Sequence, residues 1–360
     1  MIDEQPFDFG DVLNKSKKEM GHANIAIIGK TGVGKSTLLN AVFSENLAKT
    51  GVGQPVTEHC EMYSKKGSWI SLLDTKGFEL ENYKKILNEL KQEIQRRKNS
   101  SHADEHIHVA WFCINNNSNR IEPAEVNFIN ELATEIPVIV VLTQGEKKKD
   151  NTFLNEVKKS AAQAKQVVKI LAQPCEIDEG IIIPSYGLDT LVQVTEELIP
   201  EAQKKAFIAA QKVDLEMKKK AARKAITVAV AAGTAACAIP LPFADSVALA
   251  PIEIGMLASI SHIMGMETSK AFLSTLVSSA VGVIGATVGG RAIVTGLLKL
   301  IPGLGTLAGA AIGAATAGTM ITAMGEAYIA AIVKIQSSNV EMNADDLSIA
   351  FVNELKKGKK

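Results

Sequence analysis

Gly29-Lys30-Thr31-Gly32-Val33-Gly34-Lys35-Ser36 reads G-K-T-G-V-G-K-S, a full match to the phosphate-binding loop G-x-x-x-x-G-K-[ST]. Its surroundings decide the fold. Asn24 to Ile28 is an apolar run of strand length, and Thr37 to Phe43 continues as a helix. A glycine-rich turn between strand and helix aims several backbone N–H groups at one point, where the helix dipole adds partial positive charge. Gly29, Thr31, Gly32, Val33, Gly34 and Thr37 therefore form a phosphate cradle. Lys35 reaches the β- and γ-phosphates, and the Ser36 hydroxyl is placed for Mg²⁺.

Downstream, Ser44 to Cys60 is rich in Gly, Thr and Pro and reads as a loop. Glu61–Lys65 and Trp69–Leu73 read as two strands joined at Lys66-Gly67-Ser68. The second ends in Asp74-Thr75-Lys76-Gly77, a D-x-x-G. An aspartate at the end of the strand beside a phosphate loop can hold Mg²⁺, and the glycine lets its backbone N–H approach the γ-phosphate.

With these two motifs the chain resembles the translation-factor-type GTPases of the broad Era/TrmE-like group. That resemblance implies GTP/GDP and Mg²⁺ as cofactors and the fold class α/β, a P-loop GTPase fold with a mainly parallel sheet, helices on both faces and one antiparallel edge strand. It implies that Thr57 closes onto Mg²⁺ and the γ-phosphate, with Thr50 as its rival. The metal set is then Ser36, Thr57 and Asp74, and the residues bearing on catalysis are Lys35, Thr57 and Gly77.

Tyr83–Lys98 and Glu122–Ala133 read as helices, and His106–Asn115 and Ile136–Leu142 as buried strands. The last of these runs into Thr143-Gln144-Gly145-Glu146, where the family carries [NT]-K-x-D. Glu146 keeps the acidic charge that accepts from guanine N1 and N2, on a longer arm; Gln144 lacks the lysine that packs over the loop. Guanine is favoured, with relaxed or adenine-type binding as the alternative. Lys147–Lys149 reads as a solvated loop entering a helix from Thr152 to Leu171. Gly180–Pro184 reads as the last strand. Ser185-Tyr186-Gly187 after it resembles the family's closing loop over the base, placing Ser185 and Tyr186 in the site. Many such enzymes place a glutamine right after D-x-x-G; here that position is Phe78, which resembles the subset of GTPases with an apolar residue there. The expectation is slow GTP hydrolysis that rises with a partner, self-association or a membrane.

The chain has 360 residues with 39 basic and 39 acidic side chains, so no global charge points to nucleic acid. Cys60, Cys113, Cys175 and Cys237 are scattered without a C-x-x-C pair, as in a reducing compartment. His102, His106 and His108 have no acidic or thiol partner placed for a metal. The N-terminus lacks the basic and apolar regions of a signal peptide. A cytoplasmic protein, associated or not with the inner face of a membrane, is expected.

Residues 1–22 read as a polar extension with a helix from about Asp11 to Met20 against the nucleotide domain, taken as 23–199. Residues 200–224 read as a charged connecting helix, 225–342 as an Ala/Gly-rich all-α domain, and 343–360 as a basic tail. Between Ala225 and Val333, Ala225–Ala244, Ala271–Gly290 and Leu300–Gly325 are uncharged runs of membrane-spanning length. Gly285 and Gly289, and Gly305, Gly309 and Gly313, repeat at a four-residue step that leaves a smooth groove on a helix. The runs are Ala- and Gly-rich and are interrupted by Pro240, Pro242 and Pro302. Two readings stay open: membrane-inserting hairpins through 225–333, or core helices of a soluble or membrane-responsive bundle.

Ile239-Pro240-Leu241-Pro242-Phe243-Ala244-Asp245, with Pro251 and Glu253 after it, resembles the signature of the YcjF-type (DUF697) helical domain. That resemblance implies a membrane-associated or membrane-sensing module. Asp245 and Glu253 fall on one helix face, as buried polar residues or an ion site. The expected function is a nucleotide-switched GTPase, with a homodimer among its open states. The alternatives are a nucleotide-dependent scaffold with little hydrolysis, or a membrane-inserting protein gated by its GTPase domain.

Overall fold

The computed structural model describes residues 9–43, 52–64, 67–75, 82–146, 150–178, 180–237, 244–266, 268–276, 314–338 and 343–357. Gly77, Phe78, Thr50, Lys147–Lys149, the Gly285–Gly313 glycine steps, and Pro240, Pro242 and Pro302 lie outside these. The chain forms two compact units, Gly21–Leu215 and Met1–Met20 with Glu216–Lys360.

The first unit is α/β. Its helix α2 (Lys35–Val42) follows strand β1 (Ala23–Ile28), and β2 (Val52–Pro55), β3 (Cys60–Ser64) and β4 (Ile70–Thr75) come next. Then follow α3 (Tyr83–Lys98), β5 (Val109–Asn115), α4 (Pro123–Leu132), β6 (Val138–Thr143), α5 (Thr152–Ser160) and β7 (Gln166–Lys169). A small antiparallel pair, β8 (Cys175–Asp178) and β9 (Ile181–Ile183), precedes α6 (Leu188–Leu198) and α7 (Glu201–Ala210). The seven-stranded sheet has the order β2-β3-β4-β1-β5-β6-β7. β4, β1, β5, β6 and β7 are parallel, and β2 and β3 add an antiparallel edge.

β1 and β6 are buried throughout, as parallel strands covered on both faces must be. Consecutive residues of β5 show the two faces. Phe112 packs on Phe128 of α4, in a core that includes Ile86, Leu90 and Ile94 of α3 and Phe153 and Val157 of α5. Trp111 stacks on Phe43 at 5.8 Å and donates its ring N–H to Thr195 of α6 at 3.1 Å. Phe207 of α7 meets the same Phe43 edge-on.

Four sequence expectations change here. β2 lies within the stretch read as loop, so the antiparallel edge has two strands. β7 falls inside the helix expected from Thr152 to Leu171, and the expected last strand is instead the small β8–β9 pair beside the main sheet. The connecting helix expected over 200–224 is broken. Gln211 accepts from the N–H groups of Val213 and Asp214 at 2.7 and 2.8 Å, turning the chain between α7 and α8 (Leu215–Cys237). α7 thus stays with the α/β unit, held by the buried Phe207.

The N-terminal helix α1 (Phe9–Lys18) belongs to the second unit. It packs on α9 (Ala244–Ile263), where Ser16 bonds the His262 ring at 3.0 Å and Leu13 is buried. A helical stretch at 270–276, α10 (Ala314–Ser337) and α11 (Ala344–Lys357) are further described elements of the unit. Tyr328 of α10 meets Phe351 of α11 edge-on at 5.3 Å and bonds Ser261 of α9 at 2.8 Å. Small residues do bring helices together, at described positions other than the repeats. A Cβ on Gly233 of α8 would lie 2.3 Å from Ile321, and one on Gly325 of α10 would lie 2.5 Å from Ile226. Arg223 and Glu326 close this contact at its charged end, 2.9 Å apart. Among the described residues, Ala317–Ser337 alone is a helix long and apolar enough to cross a membrane, and just over half of its apolar stretch is buried within the fold.

Candidate functional site: a phosphate cleft and a base cleft

The turn from β1 into α2 puts the phosphate loop at the carboxyl end of the parallel strands. Gly34 opens α2 at φ 97°, a left-handed conformation suited to glycine, and no side chain caps the helix. The first N–H groups of α2 are therefore available to an anion. Gly29 fits because a Cβ would sit 2.6 Å from the Cys113 carbonyl of β5. The Lys35 ammonium donates to the carbonyls of Gly29 at 2.7 Å and Lys30 at 3.4 Å, held across the mouth of the loop.

A cleft of ≈ 440 Å³ is lined by residues 30–37 together with Asp74 and Thr75. It joins the Ser36 hydroxyl to the Asp74 carboxylate, the hard oxygen donors that suit Mg²⁺. A second cleft of ≈ 200 Å³ shares Gly34 and Thr37 with it and continues past Thr143, Gln144 and Glu146 to Leu171, Ala172, Gln173 and Cys175. The two clefts meet at Gly34 and Thr37, one polar end suited to phosphates and one suited to a base. A third, of ≈ 340 Å³, flanks the loop between Thr31 and Arg120. There Lys30 is paired with the buried Glu125 carboxylate at 3.0 Å, and Glu125 also closes the α4 capping box with Glu122.

The Thr143-Gln144-Gly145-Glu146 turn is tied to the phosphate loop. Thr143 donates its hydroxyl to the Val33 carbonyl at 2.6 Å and the Ile114 carbonyl at 3.1 Å. Gln144 sits at φ 55° and its amide lies 3.4 Å from the Gly32 carbonyl. The glutamine thus spans the loop as expected of the family lysine, without its charge. Glu146 faces the second cleft.

Three predicted positions come out differently. The Thr57 hydroxyl does not line the phosphate cleft. It accepts from the N–H groups of His59 at 3.3 Å and Cys60 at 3.0 Å in a tight turn, and His59 pairs with Glu89 of α3 at 3.1 Å. Ser185 is exposed and lines neither cleft. Tyr186 acts one layer out: it pairs with Leu171 through the backbone, and its hydroxyl donates to the Gly145 carbonyl. The loop beside the base is instead 171–175, which leaves β7. Sequence reasoning missed it because β7 was read as helix; the β-branched Val167, Val168 and Ile170 are the signal that identifies a strand there.

Burial pushes the Cys113 thiol behind the loop up to about 12, so it is neutral and inert. His108 accepts from the Asn24 N–H at 3.0 Å and lies 3.1 Å from the Ala103 carbonyl, with burial lowering its pKa. It is a structural histidine. Among the described residues, Glu58, His59 and Glu89 alone group histidine and carboxylates at metal-ligand range, away from both clefts, with Lys85 on Glu58 at 2.6 Å.

Phosphate loop, strand-end aspartate and mainly parallel sheet give this unit a P-loop GTPase fold. Residues 24–144 match the family model described as "50S ribosome-binding GTPase". The chain is 24% identical over 179 residues to septin-9 of Rattus norvegicus, covering 40% of this chain and 32% of that protein. It is 30% identical over 100 residues to magnetosome membrane protein 22 of Magnetospirillum gryphiswaldense, covering 28% of this chain and 51% of that one. The chain thus spans between about a third and a half of the length of these relatives. Among solved structures, Era in complex with MgGDPNP and ribosomal RNA is 21% identical over 51% of this chain and 58% of that one, with a TM-score of 0.33. A probable GTP-binding protein engB is 17% identical over 49% of this chain and 98% of that one, with a TM-score of 0.33.

Proposed function

We propose that this chain binds GTP and GDP with Mg²⁺, hydrolyses GTP slowly, and uses the nucleotide state to switch its helical unit. The observation that carries this reading is the joined pair of clefts, with Lys35, Ser36 and Asp74 at one end and Glu146 at the other. In it, Lys35 and the α2 N–H groups hold the β- and γ-phosphates, Ser36 and Asp74 hold the metal, and Glu146 accepts from the guanine edge. Bound Mg²⁺ supplies neutralisation of phosphate charge. The residue after D-x-x-G is Phe78, not a glutamine that could orient the water, which supports slow turnover without help. Help comes from a second copy or a membrane surface; self-association and membrane contact through 225–333 belong to this proposal, as does a cytoplasmic location at the inner face of a membrane. The name of the magnetosome relative is in keeping with the membrane part.

Single-turnover hydrolysis measured at rising protein concentration, with and without anionic vesicles, tests the reading. A rate per protein that climbs with either is expected. Fast hydrolysis independent of both refutes the need for a partner. Tight GTP binding without measurable hydrolysis under every condition replaces the enzyme by a nucleotide-dependent scaffold.

A further inference from the structure

The segment Asn115-Asn116-Asn117-Ser118-Asn119 leaves β5 toward the base side. Parallel pairing of β5 with β6 sets Asn115 beside Thr143, so the residues that follow run alongside Gln144 and Glu146. The loop is fixed by its own bonds. The Asn115 side chain accepts from the Asn117 N–H at 2.8 Å, Ser118 donates to the Asn115 carbonyl at 2.7 Å, and Asn119 takes φ 49°. From this base two carboxamides reach across. Asn115 donates to the Gln144 side chain at 3.1 Å, and Asn117 donates to the Glu146 carboxylate at 3.1 Å. These are the two positions at which the base reader departs from the family pattern.

A carboxylate that reads guanine must present both oxygens in the plane of the base, to the N1 and N2 hydrogens. Glutamate has one more methylene and one more rotor than aspartate, and an untethered arm loses that freedom on binding. A carboxylate oxygen offers two lone pairs, so Oε1 can accept from Asn117 and still accept from a base. The loop that carries Asn117 is itself rigid.

We propose that Asn117 is a positioning residue for base selection: it orients the Glu146 carboxylate, and the longer acid reads guanine only with this tether. The inference rests on the guanine-nucleotide reading above and adds the residue that makes its acid competent. Asn117 is exposed, so its replacement leaves the core intact.

The test is equilibrium binding of fluorescent GDP and ADP to the full chain. Asn117→Ala should weaken GDP by about tenfold, the loss of one hydrogen bond to a charged group, and leave ADP, which has no N1 hydrogen, unchanged. Asn117→Asp should weaken GDP further by placing a second negative charge beside Glu146. In a Glu146→Asp background the shorter arm no longer reaches Asn117, so Asn117→Ala should have no further effect. An unchanged GDP/ADP ratio in Asn117→Ala, equal weakening of both nucleotides, or the same loss in the Glu146→Asp background overturns the proposal. Wild-type protein that binds GDP and ADP equally overturns the guanine reading itself, and this inference with it.

Discussion

Replacing Glu253 by glutamine should change how the stability of the chain depends on pH. Glu253 lies in α9 and is 2% exposed, and its Oε2 has no hydrogen-bond partner. Burial pushes its carboxyl from 4.5 up to about 8. Between those values the unfolded chain releases a proton that the folded chain keeps. Stability therefore falls as pH rises through that window, by about 1.4 kcal/mol per pH unit and roughly 5 kcal/mol in all. Two other buried groups of the same unit work the opposite way. Burial, with Lys17 nearby, pushes His262 down from 6.5 to about 4, so stability rises between those values. Burial pushes Lys218 down from 10.5 to about 8, giving a rise above pH 8. From pH 4.5 to 6.5 Glu253 and His262 nearly cancel, and from 6.5 to 8 the carboxyl acts alone, costing about 2 kcal/mol. Urea unfolding followed by far-ultraviolet circular dichroism, at half-unit pH steps, reads the difference between Glu253→Gln and wild type. Every other titration cancels in that difference, which should move in favour of the variant by several kcal/mol between pH 4.5 and 8. Parallel curves, with a constant offset, would refute the reasoning: the carboxyl would then be hydrated or paired in solution.

Two further substitutions bear on the clefts. Lys35→Ala removes the ammonium that spans the loop mouth and should weaken GDP by at least about a hundredfold, the worth of two charge-assisted bonds to phosphate; nucleotide titration checks it, on a variant shown to be folded by circular dichroism. Thr143→Val keeps the shape but deletes the buried O–H donor shared between the Val33 and Ile114 carbonyls, which should cost about 1–3 kcal/mol in urea unfolding and speed nucleotide release.

What could be read in the sequence follows the physics of each element. The phosphate loop, β1, β5 and β6 were legible because strands buried on both faces are continuous apolar runs and the loop carries its own motif. β7 was not, because Phe153, Val157 and Ala161 set up a helical spacing that masks the β-branched signal of Val167, Val168 and Ile170. That one misreading moved the base-side loop from 171–175 to Ser185. The partner of α1 was also illegible: an apolar face announces burial, yet nothing local to Leu13 and Ser16 names His262, far along the chain, as what they meet. Glu253 and Lys218 are hidden for the opposite reason, since charged residues in a sequence imply solvent until the fold removes it.

Thr57 separates position from state. The sequence places it in the segment leading to β3, and the structure agrees with that placement while satisfying its hydroxyl locally, through the amides of His59 and Cys60. Its hydroxyl also hydrogen-bonds the Glu89 carboxylate of α3; at about 1 kcal/mol net for each bond, these contacts hold it by roughly 3 kcal/mol. His59 and Glu89 add a pair that joins this turn to α3. Coordination to a metal held by Ser36 and Asp74 must exceed that sum before Thr57 can leave. A nucleotide whose γ-phosphate adds to the attraction can exceed it, and one that lacks the γ-phosphate has less to offer. The local turn, with Glu89, is the set of partners the structure shows for Thr57, and under the proposed function a metal with a γ-phosphate must outcompete it for the threonine to act in a switch.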